Sequence, residues 1–459
     1  MKKKLISIKN KFLFQYYRFL WWCAKKYLKR HQAFSIWVNW SVWKTSCRMI
    51  IHQTLEKAFP NKKIYTSPKN FNWELGMSLS ILMVENWNPT PSYLVWIWCK
   101  ALWMALFWKK WYDCIVLEYW IDRPKEMEFL VSINKPHIWV FTAIDAVHSE
   151  QFWNPTEIAR EEVKMVKNTR EIAFLNADDI YAQQIVWTLW IDEFTYQTLW
   201  YDSKADIHFE NEKVTVSNEN KHFVLSEFDI YIKKEKNHLK TNLLGKPNYW
   251  YICVALCIAE ILSQRFTGKE LDLKKLLKEP LIYKLQPWRC SIFKWKHDSI
   301  LIDSTYNASP LSVRKLIDTT LSIQKASWNK KKILLVLWDM RELWDLTEKE
   351  HRLLAWYVQW SADHVVLLWN SMHNYLADEI QKIGFSKENL TLCHSYHEVW
   401  KRVDNFLKES KDEWIVLIKW SQNTIFLEEA TKALLKDKKD AELLTRQSAW
   451  RLKKKGVKI

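Results

Sequence analysis

The segment at residues 37–46 reads Trp37-Val38-Asn39-Trp40-Ser41-Val42-Trp43-Lys44-Thr45-Ser46. The apolar run Ala33–Val38 has the length of a buried strand, and a helical pattern follows the segment. With glycine at the three tryptophan positions, the segment becomes GVNGSVGKTS, which contains the short G-x-x-G-K-T form of a phosphate-binding loop. The longer form is not met, because its first glycine position holds Val38.

A loop of this kind between a strand and a helix predicts a nucleotide site. Its backbone N–H groups must point at phosphate oxygens, and positive φ at close approach excludes a large side chain. Lys44 would reach the β- and γ-phosphates, and the Thr45 hydroxyl would ligate Mg²⁺. The alternative is an ordinary loop with a threonine at a helix start. The nucleotide-binding candidates are Trp40, Ser41, Val42, Trp43, Lys44, Thr45 and Ser46.

The tryptophan content is abnormal, at 31 Trp against 5 Gly in 459 residues. At a usual frequency of about 7%, a chain of this length would hold roughly 32 glycines. We therefore hypothesise that most Trp positions, including 40, 43, 120, 288 and 338, are glycine in the native protein. The cause would be a stop-type codon that the source organism reads as Gly. Trp450 is a candidate for a genuine tryptophan, and a truly Trp-rich protein is the alternative.

Composition and length describe a folded protein of at least two domains, with 48% hydrophobic and 26% charged residues. The net charge is +17, and the first 30 residues are strongly basic. This segment is either a solvated arm or a contact to an anionic membrane surface; a nucleic-acid partner is not expected. No secretory signal or membrane-spanning run is recognisable. Eight cysteines without a C-x-x-C pair indicate reduced cytosolic thiols.

Strand-length apolar runs alternate with helical patterns, which predicts an α/β fold with a largely parallel sheet. A small antiparallel excursion is expected between Asp206 and Lys234, in KVTVSN, HFVLSE and DIYIKK, and a second α/β unit from near Gln286. The predicted division is a basic helical arm at 1–32, a central domain at 33–285 and a C-terminal domain at 286–459. The expected strands are Ala33–Val38, Cys114–Glu118, Ile138–Thr142, Ile172–Leu175, Ser299–Ile302, Ile333–Leu337, Val365–Leu368 and Ile415–Ile418.

Further motifs follow the loop in a characteristic order, and Trp stands at recurring glycine positions within them. They are SPKNFNWELG (Ser67–Gly76), VLEYWIDRPKEM (Val116–Met127), FTAIDAVHSEQFW (Phe141–Trp153), LNADD (Leu175–Asp179), QPWRC (Gln286–Cys290), IDSTYNASPLS (Ile302–Ser312), VLWDMRELW (Val336–Trp344) followed by His351, and IKWSQN (Ile418–Asn423). Over roughly residues 33 to 450 this set resembles the Mur ligase family of ATP-dependent amide ligases. It is most similar to members that add D-alanyl-D-alanine to a UDP-N-acetylmuramoyl-tripeptide.

The resemblance implies a P-loop central ATPase domain followed by a Rossmann-like C-terminal domain, with ATP and Mg²⁺ as cofactors. It implies a cytoplasmic, monomeric acid–amino-acid ligase of peptidoglycan precursor synthesis that works through an acyl-phosphate. Glu118 and His148 match the family's Mg²⁺ ligands, alongside Thr45. Glu162 stands where the family has a carbamylated Lys, so its carboxylate would serve the second metal ion. Lys164 is the alternative for that role.

The C-terminal unit supplies further candidates through the same resemblance. Arg289 would pair with the transferring phosphate, Asn307 would contact adenine, and Asp339 would lie near the ribose. Lys419 would face the substrate. The alternatives for these residues are capping, turn and surface roles. For Asp339 and Lys419, such a structural role weighs almost as much as the functional one.

Two further departures from the family are visible. The muramoyl-binding N-terminal domain is not recognisable before the loop, and the G-K-H-N segment reads Gly245-Lys246-Pro247-Asn248. A related ligase acting on another carboxylate, such as a polyglutamate-type substrate, is therefore an alternative. The third interpretation is a non-catalytic nucleotide- or membrane-binding protein. Genuine tryptophans at positions 40 and 43 would favour it.

Overall fold

The computed structural model describes most of the chain between residues 2 and 420. The described ranges are 2–39, 43–67, 74–86, 90–118, 126–143, 164–176, 178–179, 182–183, 196–200, 207–216, 224–232, 235–286, 289–294, 299–328 and 330–420. Within them the strands form one sheet of nine strands and one of six.

The nine-stranded sheet is parallel except at one end. Its strands are β1 (Phe34–Asn39), β2 (Ile64–Thr66), β3 (Cys114–Glu118), β4 (Ile138–Phe141), β5 (Ile172–Asn176), β6 (Tyr196–Trp200), β7 (Ile207–Val216), β8 (Val224–Ile232) and β9 (Glu235–Thr241). The spatial order is β2-β3-β1-β4-β5-β6-β7-β8-β9. Pairing is parallel from β2 to β7 and antiparallel through β7, β8 and β9.

Strand β1 lies in the interior of this sheet, and all six of its residues are buried. An apolar run covered on both faces is typical of parallel sheets, where helices pack on each side. Val38 lies opposite Glu118 of β3 on one side and Val140 of β4 on the other. This register brings the carboxyl end of β1, where the loop begins, beside Glu118.

Helices cover both faces of the first sheet. One face packs against α1 (Lys2–His31), α3 (Glu74–Ile81), α4 (Pro91–Leu106) and α5 (Glu126–Ile133). The other packs against α2 (Lys44–Ala58) and α6 (Lys246–Thr267), which the short α7 (Leu273–Leu276) follows. Helix α1 contributes Leu20, Cys23, Ala24 and Tyr27, all fully buried. Their spacing is that of one helical face, so this basic helix has an apolar side within the core.

The six-stranded sheet is parallel except for its first strand. Its strands are β10 (Ser291–Lys294), β11 (Ile300–Ser304), β12 (Lys331–Trp338), β13 (His364–Leu368), β14 (Leu390–Cys393) and β15 (Glu413–Lys419), in the order β10-β11-β15-β12-β13-β14. Only β10 pairs antiparallel, with β11. The accompanying helices are α8 (Pro310–Ala326), α9 (Thr347–Ser361), α10 (Asp378–Lys382) and α11 (Tyr396–Glu409), with short helical turns at Trp344–Leu346, Met372–Ala377 and Lys387–Asn389.

The α/β class and all eight predicted strands are confirmed, with ends that differ by at most two residues. The antiparallel excursion is also present, but HFVLSE and DIYIKK are parts of the single strand β8, and the third strand is β9. Strand β9 was not predicted, because its exposed positions carry charged residues, as at Glu235, Lys236 and Lys240. No described helix is long and apolar enough to cross a membrane. All eight cysteines are free.

Candidate functional site

The loop after β1 leads into α2 through a left-handed residue. Trp43 is the N-cap of α2 and has φ 60°, a backbone region that favours glycine. Lys44, Thr45 and Ser46 form the first turn of α2 and are buried. Trp40, Ser41 and Val42, three of the predicted nucleotide-binding residues, lie outside the described residues.

Glu118 lies directly beside this helix start, as the register of β1 and β3 requires. The Thr45 hydroxyl donates to Glu118 Oε1 at 3.0 Å, and Arg48 Nε lies 3.2 Å from Glu118 Oε2. Arg48 also donates to Thr66 Oγ1 at 2.8 Å and to the Ser67 carbonyl. A buried charge needs such partners, since the desolvation of an unpaired one costs several kcal/mol. The structure thus joins Thr45 and Glu118 as predicted and adds Arg48.

Arg48 was not singled out from the sequence, although a signal was available. It lies four residues after Lys44 and therefore on the same face of α2. It is 1% exposed, and a fully buried arginine is rare unless it is paired. Burial lowers the pKa of Arg48, the charge of Glu118 opposes that shift, and the charge of Arg289 adds to it. Arg289 of the second unit lies near this cluster, because it lines one cleft together with Trp43 and Ser46.

Thr45 and Glu118 fit a magnesium ion by their chemistry, because hydroxyl and carboxylate oxygens are the ligands that Mg²⁺ prefers. Their 3.0 Å separation brings two such oxygens together at the start of α2. His148 and Glu162 lie outside the described residues. Lys164 is described and pairs with Glu128 at 2.9 Å, while partly exposed. Among the described residues, no group of three or more His, Cys, Asp or Glu side chains is arranged to hold a metal ion.

A cleft beside this cluster is bounded by the first turns of three helices. Ser46 of α2, Asn248 of α6 and Ser312 of α8 contribute to its wall. Helix amino ends carry unpaired N–H groups and partial positive charge, which favour anions. The remaining lining residues are Trp43, Leu244, Pro247, Arg289, Cys290, Ser304, Tyr306, Asn307, Ser309, Lys315, Leu316, Thr319 and Lys419. Because Arg289, Lys315 and Lys419 add cations, the cleft suits a phosphorylated ligand.

Two predicted cations are held in position within the cleft. The Arg289 guanidinium lies 4.0 Å from the centre of the Tyr306 ring, and its Nε has no hydrogen-bond partner among the described residues. Lys419, at the end of β15, is buried and donates to Ser304 Oγ at 3.2 Å. Asn307 lines the same cleft and accepts from the Ala308 N–H at 3.0 Å. Arg289, Asn307 and Lys419 are thus brought together.

Asp339 makes different contacts. Its two carboxylate oxygens accept from the N–H groups of Ser371, at 3.1 Å, and Met372, at 2.8 Å. It therefore caps the helical turn that begins at Met372, which is the capping alternative to a ribose contact. His351 supports the same region, since its Nε2 accepts from the Met340 N–H at 3.1 Å. Asp339 is not among the lining residues that the structure describes.

Three tryptophans occupy the carboxyl edge of the second sheet, where α/β folds place ligands. Trp338 ends β12, Trp420 follows β15 and Trp369 follows β13. The Trp338 ring centre lies 4.4 Å from that of Trp420 and 4.8 Å from that of Trp369. The indole N–H groups of Trp338 and Trp420 are buried without an acceptor among the described residues. A buried, unpaired donor costs about 1–3 kcal/mol, so these positions suit indole poorly.

Gly245, the N-cap of α6, lies close to Thr319 of α8. It precedes α6 with φ 87°, and a Cβ added there would lie 2.5 Å from Thr319 Oγ1. Pro247 and Asn248 follow in the first turn, where Asn248 donates to the Leu244 carbonyl at 2.7 Å. Pro247, which replaces the histidine of the related motif, thus lines the cleft without adding a titratable group.

Comparisons with known proteins show what the sequence and the fold are similar to. Residues 41–259 match the profile of the Mur ligase middle domain. The chain is 24% identical over 416 residues to the UDP-N-acetylmuramoyl-tripeptide–D-alanyl-D-alanine ligase of Bacillus subtilis (strain 168), which covers 90% of this chain and 78% of that protein.

Solved structures show the same fold at low identity. MurF from Acinetobacter baumannii superposes with a TM-score of 0.68 at 17% identity, covering 93% of this chain and 80% of that one. MurF ligase from Thermotoga maritima in complex with ADP gives 0.63 at 17% identity, covering 88% and 80%. Residues 41–259 are thus a Mur ligase middle domain, and the whole chain is similar in fold to MurF structures.

Proposed function

We propose that the protein is an ATP-dependent ligase of peptidoglycan precursor synthesis that adds D-alanyl-D-alanine to a UDP-muramoyl-tripeptide. One observation carries the proposal. The Thr45–Glu118–Arg48 cluster lies beside a cleft that gathers three helix starts with Arg289 and Lys419. That is an arrangement for a nucleotide triphosphate and an anionic reaction centre. The Bacillus subtilis relative supplies the substrate pair.

The proposed reaction has two steps. An oxygen of the tripeptide carboxylate attacks the γ-phosphorus of ATP, the bond to the β-phosphate oxygen breaks, and ADP leaves with the electron pair. The amine of D-alanyl-D-alanine then attacks the acyl carbon, so that an amide forms, phosphate leaves and the amine gives up a proton. Both steps spread negative charge over phosphoryl oxygens, and positioned cations stabilise it. Lys44, Arg289 and Lys419 are the cations assigned to this task.

Thr45 and Glu118 would hold Mg²⁺, with His148 and Glu162 completing the metal sites. When bound, the ion neutralises phosphate charge and orients its oxygens. Arg48 is a positioning residue, because its ion pair holds Glu118 toward Thr45. Asn307 is assigned to the adenine, and Asp339 to the ribose side as well as to its cap. The domain division at 1–32, 33–285 and 286–459 belongs to the same proposal.

The proposal includes glycine at most Trp positions of the native protein. Trp43 has φ 60°, and Trp328, Trp344 and Trp369 also have positive φ. These four make up nearly half of the nine non-glycine residues with positive φ in the described ranges. Glycine at 338, 369 and 420 would also free the carboxyl edge of the second sheet for substrate. Tandem mass spectra of native protein test this, and Trp at positions 40 and 43 would refute it.

The activity test uses glycine-restored protein. Phosphate release and a new peptide product are measured with ATP, Mg²⁺, UDP-muramoyl-tripeptide and D-alanyl-D-alanine. Lys44→Ala should abolish both, whereas the matched control Lys401→Ala, an exposed lysine on α11, should leave both unchanged. Glu118→Ala should reduce the rate sharply and weaken its dependence on Mg²⁺. Full product formation by Lys44→Ala would overturn the site assignment.

A polyglutamate-type ligase is the second candidate, and the same assay separates it. Phosphate release that depends on a folate or glutamyl carboxylate and glutamate, and not on the muramoyl substrate, would favour it. We also propose a cytoplasmic location, which the assigned activity and the free thiols suit, and a monomer. The exposed Phe14, Trp22, Lys26 and Arg30 on α1 suit peripheral contact with an anionic membrane. Lys26→Gln/Arg30→Gln should then lower sedimentation with anionic vesicles at low salt.

A further inference from the structure

A second cleft lies at the amino ends of β1 and β4, opposite to the nucleotide loop. Its walls come from the end of α1, the connection from α5 to β4, the segment before β5 and α6, and its volume is about 660 Å³. Five cations line it: Lys25, Lys29, Lys135, Arg170 and Arg265. No carboxylate is found among the lining residues that the structure describes. Its surface is therefore strongly positive.

This positive charge is only partly neutralised. Arg265 pairs with Glu171 at 2.5 Å, and its guanidinium also lies 4.7 Å from the Phe34 ring centre. For Lys25, Lys29, Lys135 and Arg170, no acidic partner lies within 4.0 Å in the described part of the chain. Like charges gathered around one concave surface repel each other and focus a field that attracts anions. About three to four positive charges of the cleft thus have no carboxylate of the described residues to neutralise them.

A hydrogen-bond chain through Ser35 connects Asn134 and His137, which both line the cleft. Asn134 Nδ2 donates to Ser35 Oγ at 2.9 Å, and His137 Nδ1 accepts from the Ser35 N–H at 3.1 Å. Because Nδ1 accepts, the proton of the neutral ring is on Nε2. Burial, with the charges of Arg170 and Arg265, lowers the pKa of His137 to about 4, so the ring is neutral near pH 7.

The Nε2–H of His137 meets another donor instead of an acceptor. Arg170 Nη1 lies 3.5 Å from His137 Nε2, while Arg170 Nη2 lies 3.5 Å from Asn134 Oδ1. Two donors cannot satisfy each other, but one acceptor placed against both can accept from each of them. An oxyanion in the cleft would accept from both and would approach Lys135 on the same connection.

We propose that this cleft binds a phosphate-type polyanion, with Arg170, His137 and Lys135 as its inner contacts and Lys25 and Lys29 as outer cations. The shared chemistry is a phosphoryl or pyrophosphoryl group. It can be carried by a soluble molecule or by the headgroup of an anionic lipid, which the basic face of α1 would meet first. This site is separate from the proposed ATP cleft and does not depend on the ligase activity.

The test measures pyrophosphate binding to the full-length chain by calorimetry. All variants carry Lys44→Ala, so that the nucleotide loop contributes little. Lys135→Gln/Arg170→Gln should weaken binding by about tenfold or more, since each removes a charge-assisted contact. Lys25→Gln/Lys29→Gln, on a different element, should weaken it by a smaller factor. Lys330→Gln/Lys401→Gln removes two exposed lysines outside the cleft and should have no effect.

A second arm measures flotation with phosphatidylglycerol vesicles for the same variants. Vesicle binding that needs Arg170 and Lys135, without pyrophosphate binding, identifies a lipid headgroup as the source. Pyrophosphate binding with the same dependence identifies a soluble ligand. The proposal is overturned if the four cleft substitutions leave the binding of a probe unchanged. It is also overturned if neither probe binds. Thermal melting checks that each variant is folded.

Discussion

Several tryptophans have backbone angles that belong to glycine. Trp328 is the clearest case, because it follows α8 at a helix-terminal position with φ 57° and is 86% exposed. Trp328→Gly loses almost no packing and relieves left-handed strain, so it should raise the free energy of unfolding by about 1 kcal/mol. Trp356→Gly, inside α9 and half-exposed, should lower it by up to about 1 kcal/mol. Urea denaturation of both variants checks the opposite signs; equal effects would contradict the argument.

Arg48 and Glu118 form a buried ion pair whose members depend on each other. Arg48→Met leaves the Glu118 carboxylate without its cation, so it should cost about 3–5 kcal/mol of stability. Adding Glu118→Gln removes the uncompensated charge and should recover a large part of that loss. A double-mutant cycle measures the coupling. Additive effects of the two substitutions would show that the pair does not act as a unit.

At Gly245, the residue before α6, the backbone lies so close to α8 that no side chain fits. At Gly245 an added Cβ would lie 2.5 Å from Thr319 Oγ1, whereas at Gly268 nothing lies within 4 Å, and both residues have positive φ. Gly268→Ala therefore measures left-handed strain alone, about 1 kcal/mol. Gly245→Ala adds the steric term and should cost clearly more. Thr319→Ala in the same chain should remove that excess, as chemical denaturation would show. An equal loss at the two glycines would refute the close approach.

Strands that are buried on both faces could be predicted from the sequence, whereas short or partly exposed strands could not. Strands β1, β3 and β12 were recognisable because parallel strands covered on both faces read as continuous apolar runs. Strand β2 has three residues, and β9 alternates charged residues with buried ones, so neither gave such a signal. In the site, Thr45 and Glu118 were predictable from motif positions. For Arg48 the sequence offered only its spacing from Lys44; its pairing with Glu118, seventy residues away, depends on the sheet register that brings the two together.

Two histidines, the buried His364 and the half-buried His137, should make the whole molecule sensitive to acid. Burial lowers the pKa of His364 to about 4, and burial with two arginines does the same for His137. The ordinary histidine value is 6.5, so the unfolded chain binds more protons between these limits. Stability should be complete above about pH 6.5 and fall as the pH drops toward 4.

Urea titrations at pH 7 and pH 4.5 measure this loss. His364→Asn removes one of the groups that titrate in this range, so its stability should fall less steeply between the two pH values. His394→Asn, an exposed histidine next to β14, serves as the control and should keep the slope of the parent chain. An unchanged slope in His364→Asn would show that the acid sensitivity has another source.

The left-handed angle at Trp43 also has a consequence for gene expression. If these codons are stop-type codons read as glycine, a host with the standard code would terminate synthesis at the first of them, position 21, within α1. A host that inserts tryptophan would complete the chain but fill the phosphate loop and the edge of the second sheet with indoles. Only a gene recoded with ordinary glycine codons would deliver the native polypeptide. The backbone torsions of this protein thus carry information about the translation system that made it.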